Sequence, residues 1–156
     1  MINIYYRDSE GSYVQISTDD DTSSMLTTIH DGNRITTRTI QLYARNDDAL
    51  VWYSNIRILP VDLVDANPYG DVGYNETGWG VKLSSNELEL TESEWEDINW
   101  GEEISIENIG SDLSADTATY FPFWYLISSP PNIDAQNKTD IVLRVSYTEN
   151  AVIWEI

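Results

Sequence analysis

The chain has 156 residues, no cysteine, and 27 acidic against eight basic side chains, a formal charge of −19. That length suits one domain with a real core. Without thiols there is no disulfide frame, thiolate metal site or cysteine nucleophile. The acidity works against nucleic acid and anionic membranes, whose binders carry basic stripes. An apolar content of 41%, with 12% aromatics, argues against general disorder.

The N-terminus, MINIYYRDSEGS, lacks a basic region leading into an apolar run, so it does not read as a signal peptide. No stretch approaches the length of a membrane span. Instead, Ile2 to Tyr6 and Tyr13 to Ile16 read as strands joined by a DSEGS turn. Residues Asp19 to Ser24 form a polar loop. His30, the lone histidine, falls in the turn-like HDGNR. With no nucleophile spaced against it, it reads as a turn residue rather than a catalytic base.

Thr36 to Arg45 alternates: Ile40, Leu42 and Ala44 share one face, and Gln41, Tyr43 and Arg45 share the other. Asn46-Asp47-Asp48 breaks that strand. Val51 to Leu59 follows, with Ile56 and Ile58 inward and Asn55 and Arg57 outward. The two strands fit either a hairpin or a crossing between sheets.

A long Gly-rich stretch from Asp65 to Gly80 carries Tyr69, Tyr74 and Trp79, an aromatic set able to stack on sugar rings. Asp65 to Glu76 matches a calcium loop at some positions. It has Tyr69 where an oxygen ligand belongs and Pro68 stiffening the turn, so no metal is expected. Val81 to Leu83 resumes a strand. Thr91 to Trp100 predicts one helical turn, with Thr91 as N-cap and Glu94 three residues on.

Glu103 to Ile109, Thr119 to Ile127 and Asp140 to Thr148 complete the strands, and an apolar tail ends the chain. Eight or nine short strands with turns between them predict an all-β antiparallel sandwich. The expected organisation is one domain over 1–156, with 1–20 as an N-terminal arm and 150–156 as an apolar tail. Paired carboxylates for glycoside hydrolysis do not stand out, since chance pairs abound in so acidic a chain.

The densest apolar stretch is TYFPFWYLISSPPN. Phe121, Phe123, Tyr125 and Ile127 point one way, and Trp124 and Leu126 the other. Pro122 marks an edge or a bulge, and an edge strand with aromatics on both faces needs cover. The expectation is that one face packs the core and the other meets a second chain. Tyr5, Phe121, Phe123, Trp124 and Trp154 are the residues expected at subunit or core contacts.

The segment SSPPNIDAQNKTDIVLRVSYTEN resembles the closing hairpin of immunoglobulin-like accessory domains. HDGNR, LYARNDDALVWYSNI, GWGVKL and YFPFWYLISSPP together resemble virion structural proteins of tailed phages, including those infecting cyanobacteria. The resemblance implies an immunoglobulin-like or jelly-roll sandwich without an active site or cofactor. It implies a homo-oligomer, such as a trimer, that binds the major capsid or other virion proteins and is assembled in the host cytoplasm. A −19 chain suits the outside of a shell, which makes an outer-capsid decoration or cement protein the simplest expectation. The alternative is a carbohydrate-binding module, or a neck or tail-fibre component, using Tyr69, Tyr74 and Trp79.

Overall fold

The computed structural model describes residues 1–19, 21–63, 73, 78–131 and 141–153. The chain is an antiparallel β-sandwich. Its strands are β1 (Ile2–Arg7), β2 (Tyr13–Ile16), β3 (Thr36–Asn46), β4 (Val51–Asp62), β5 (Gly80–Ser84), β6 (Ile104–Ile106), β7 (Phe121–Ser129) and β8 (Ile141–Ala151). One short helix, α1 (Glu92–Glu96), lies between β5 and β6. One sheet has the order β2-β1-β3-β7-β5 and the other β6-β4-β8.

Period-two alternation builds the core. Ile2 and Ile4 of β1, Leu42 and Ala44 of β3, and Phe123 of β7 face Tyr53, Ile56 and Ile58 of β4 and Leu143 of β8. Each of the fully buried Ile, Leu and Phe side chains contributes about 1.5–3 kcal/mol. Residues 1–16 are integral to this sheet and do not form an arm, since β1 sits between β2 and β3.

The step from β3 to β4 crosses between sheets and is not a hairpin. Asn46 holds this corner. Fully buried, it donates from Nδ2 to the carbonyls of Val51 (2.8 Å) and Ala115 (2.9 Å), and its Oδ1 accepts from the Asp48 amide (2.8 Å). One side chain thus satisfies three backbone groups at this corner, of which the Ala115 carbonyl is buried.

The position of β7 corrects the expectation of a border strand, for β7 lies between β3 and β5. Pro122 is accommodated because β5 is short. Pairing with β3 runs unbroken through Tyr43–Pro122, whereas pairing with β5 ends at Ser84–Trp124. The missing amide hydrogen therefore faces the side where β7 has no neighbour. Pro60 of β4 follows the same rule: it pairs with Leu143 of β8 and lies past Ile58, the last β4 residue to meet β6.

The second face of β7 is also corrected. Leu126 is buried and Trp124 half-buried, and their cover comes from the same chain: Leu90, Trp95, Ile98 and Trp100. Thr91 caps α1 as the sequence predicts, accepting from the Glu94 amide while Glu94 reaches back to the Thr91 amide. Lys82, nearly buried in β5, pins this lid by donating to the Trp95 carbonyl (2.8 Å) and lying over the Trp100 ring (4.4 Å). Trp95 is an apolar plug whose indole N–H has no partner.

Candidate binding surface

The outer face of the five-stranded sheet has two halves. The lid covers one. The other presents four half-buried tyrosines: Tyr5, Tyr13, Tyr43 and Tyr120. Register brings three of them together. Tyr5 pairs with Tyr43 across β1 and β3, and Tyr13 pairs with Arg7 at the β2–β1 edge. Because Ile4 and Leu42 point inward, their neighbours Tyr5 and Tyr43 point outward. Tyr120 enters from the turn before β7 and stacks on Tyr13 at 3.6 Å and 7°. It also meets Tyr5 edge-on at 5.4 Å, and Tyr13 meets Tyr43 edge-on at 5.1 Å.

Polar groups lock these rings. Arg45 lies over the Tyr120 ring, donates to its hydroxyl (2.8 Å) and to the Thr117 carbonyl (2.7 Å), and pairs with Asp47 at 3.4 Å. Asp47 accepts from Asn3 (2.6 Å) and from the Tyr5 hydroxyl (2.5 Å). Burial, and then this carboxylate, push the Tyr5 phenol up to about 12. Arg7 lies over Tyr13 at 5.1 Å. Two of the chain's eight cationic residues thus serve one aromatic patch on a strongly acidic body. The tyrosine hydroxyl of Tyr43 donates to Gln41 (3.0 Å), and Gln41 and Trp124 both donate to the Glu87 carbonyl, tying patch to lid.

Such a patch suits contact with another surface. Its rings are already immobilised, so little side-chain entropy is lost when a partner covers them. Tyrosine and arginine are also the residue types concentrated at interface centres.

The expected contact residues divide. Tyr5 is in the patch. Phe123 is fully buried and Phe121 packs against the core, so these two are core contacts. Trp124 belongs to the lid cluster, and Trp154 lies outside the described residues. Trp79 is corrected as a sugar platform. It is 9% exposed, packs into the core and meets His30 edge-on at 5.1 Å, which leaves no free face for a pyranose. Tyr69, Tyr74 and most of the calcium-like loop lie outside the described residues. Among the described residues no group of three or more His, Asp or Glu side chains is placed to hold a metal ion.

His30 is a structural residue. Its Nδ1 faces the Thr36 carbonyl (3.1 Å), so Nδ1 carries the proton and Nε2 accepts from the Thr28 hydroxyl (2.8 Å). Sequence reasoning missed Tyr13, Tyr43, Tyr120 and Arg45 as site residues. The alternation of TTRTIQLYAR already places Tyr43 and Arg45 on one face, but nothing in it says which strand lies alongside.

No family model matches the chain, and no curated protein or solved structure does. The reading of function therefore stands on the residues themselves.

Proposed function

We propose that this chain is a non-enzymatic structural protein that self-associates and seats on a larger protein assembly through the tyrosine face of its five-stranded sheet. The most economical form of this reading is an accessory protein on the outer shell of a tailed phage. The observation that carries it is the cluster of Tyr5, Tyr13, Tyr43 and Tyr120 clamped by Arg45 and Asp47. An aromatic surface this large and this rigid is more than the sandwich needs, since its core lies on the other side of the sheet. It also places cations where a body of charge −19 most needs them if copies are to approach.

The test is a binding measurement with Tyr43→Glu and Tyr13→Glu, which put a charge into the patch and leave the inward faces of β2 and β3 alone. Self-association and shell binding are expected to fall together in both variants while both stay folded, with Tyr13→Glu losing only the modest stability of its stack on Tyr120. Association unchanged in both would reject the tyrosine face as the contact surface.

A further inference from the structure

A second, separate surface lies on the three-stranded sheet. A sandwich of two open sheets has four outer edges, and bare edges invite pairing with other chains. Three are closed or curtailed here. Alongside β2, Ser24 donates from its hydroxyl to the Gln15 carbonyl (3.3 Å) and bonds Ser17 through its backbone (2.7 Å). Alongside β5, the Gly101 amide donates to the Val81 carbonyl (2.8 Å). The β6 edge is a strand of three residues.

The fourth edge, β8, is closed over only its first half. The Asp19 amide donates to the Leu143 carbonyl (2.8 Å), and the Val145 amide donates to the Asp19 carboxylate (3.3 Å). Asp19 holds this pose in the left-handed region, at φ 59°. Val145 therefore turns its backbone groups outward. The far half follows the same parity. Tyr53 exchanges both its backbone hydrogen bonds with Ile109 (3.0 Å each), so its β8 partner Glu149 faces away from β4. The irregularity between Ser54 and Arg57 puts its extra residue on β4, where Asn55 sits at φ 51°, so β8 itself stays regular. Tyr147 and Glu149 thus present N–H and C=O groups to the outside, and no described residue bonds them there.

Two carboxylates flank this open half, and Arg57, opposite Ser146, is already paired with Glu103 (2.9 Å). Asp19 and Glu149 lie close enough to Tyr147 to raise its phenol, after burial. A second copy of the chain would bring the same carboxylates to the seam, so self-pairing is disfavoured here. From this geometry we infer that the open half of β8 takes an extended, lysine- or arginine-rich segment of a partner protein by strand addition, starting where the Asp19 loop stops. Backbone bonds to Tyr147 and Glu149 supply the pairing, and the carboxylates of Asp19 and Glu149 select basic side chains.

The experiment uses the whole isotope-labelled chain and a short peptide of alternating lysine and valine. Its controls are the same peptide with a central proline, the glutamate analogue, and unstructured polylysine. The alternating peptide is expected to slow amide exchange at Tyr147 and Glu149 by about tenfold or more, and the controls are not. Glu149→Pro removes one outward donor and keeps the backbone bonds to β4, losing only the carboxylate that accepts from the Tyr53 hydroxyl (3.3 Å), so it should abolish the slowing at Tyr147 while leaving the β4 and β8 inward amides protected. If Glu149→Pro unfolds the chain, Glu149→Lys, expected to weaken the effect, gives the same discrimination. Slowing that is equal for polylysine, or absent at these two amides, overturns the inference. Concentration-dependent protection without peptide would overturn it in favour of a second copy.

Discussion

Tyr13 and Tyr120 lie face to face, ring centroids 3.6 Å apart, although one belongs to the second strand and the other to the turn before the seventh. Their stack links the two sides of the tyrosine face. A double-mutant cycle on Tyr13→Ala and Tyr120→Ala is expected to show a coupling of about 0.5–1.5 kcal/mol by urea denaturation. Simple additivity would mean that the rings do not support each other.

The lid makes a different prediction. Trp95→Ala opens a void over Leu126 and is expected to cost about 3–5 kcal/mol. Trp95→Phe keeps most of the apolar volume and loses no hydrogen bond, because the indole N–H has none to lose. It should cost clearly less. Equal losses in urea denaturation for the two variants would contradict the assignment of Trp95 as an apolar plug.

Asn46 joins the corner where the chain changes sheet. Asn46→Ala leaves the Val51 and Ala115 carbonyls without their donors, at an expected cost of about 2–4 kcal/mol. Thermal unfolding measures this directly, and a change within the range of ordinary surface substitutions would contradict the role given to this amide.

Two glycines share a left-handed conformation but differ in surroundings. Gly11 is at φ +82° with only the Arg7 guanidinium near a would-be Cβ (3.4 Å). Gly110 is at φ +88°, where a Cβ would meet the Ser114 carbonyl oxygen at 2.5 Å. Gly11→Ala should cost about 1 kcal/mol from the backbone alone, and Gly110→Ala distinctly more. Denaturation midpoints of the two variants separate conformational strain from crowding.

Stability also depends on pH at both ends. The folded Tyr5 phenol stands near 12 against 10.0 for an ordinary tyrosine. Its contribution is complete below 10.0 and is lost as pH rises towards 12, because the unfolded chain releases its proton first. His30 acts at the acid end. Burial lowers its pKa below the ordinary 6.5, so the unfolded chain binds the proton more readily and stability falls as pH drops below 6.5. Tyr5→Phe should make the alkaline limb shallower, the rest of it coming from the raised phenols of Tyr53, Tyr125 and Tyr147, and His30→Gln should do the same to the acid limb in denaturation midpoints against pH. Unchanged limbs would contradict these assignments.

Much of the fold is legible in local pattern. Each predicted strand segment has an observed counterpart, and Thr91 and Glu94 announce their cap. What local pattern does not carry is adjacency. The ring density of β7 signals burial on both faces, but the cover, Leu90 and Trp95, comes from a segment with its own helical period. Pro122 signals a missing neighbour on one side, and the neighbour is missing over only part of the strand. Tyr120 falls inside the predicted strand Thr119 to Ile127 but just ahead of the observed β7, and no periodicity says that its ring meets Tyr13 of β2. Trp79 sits in a glycine-rich stretch that reads as exposed, yet its indole turns into the core.

The most direct test of the contact role is the mass of the purified chain in solution, measured by light scattering over a wide concentration range for wild type and Tyr43→Glu. The account predicts an oligomer for the wild type and a folded monomer for the variant. A wild type that stays monomeric at every concentration, and that shell particles do not retain, would contradict it.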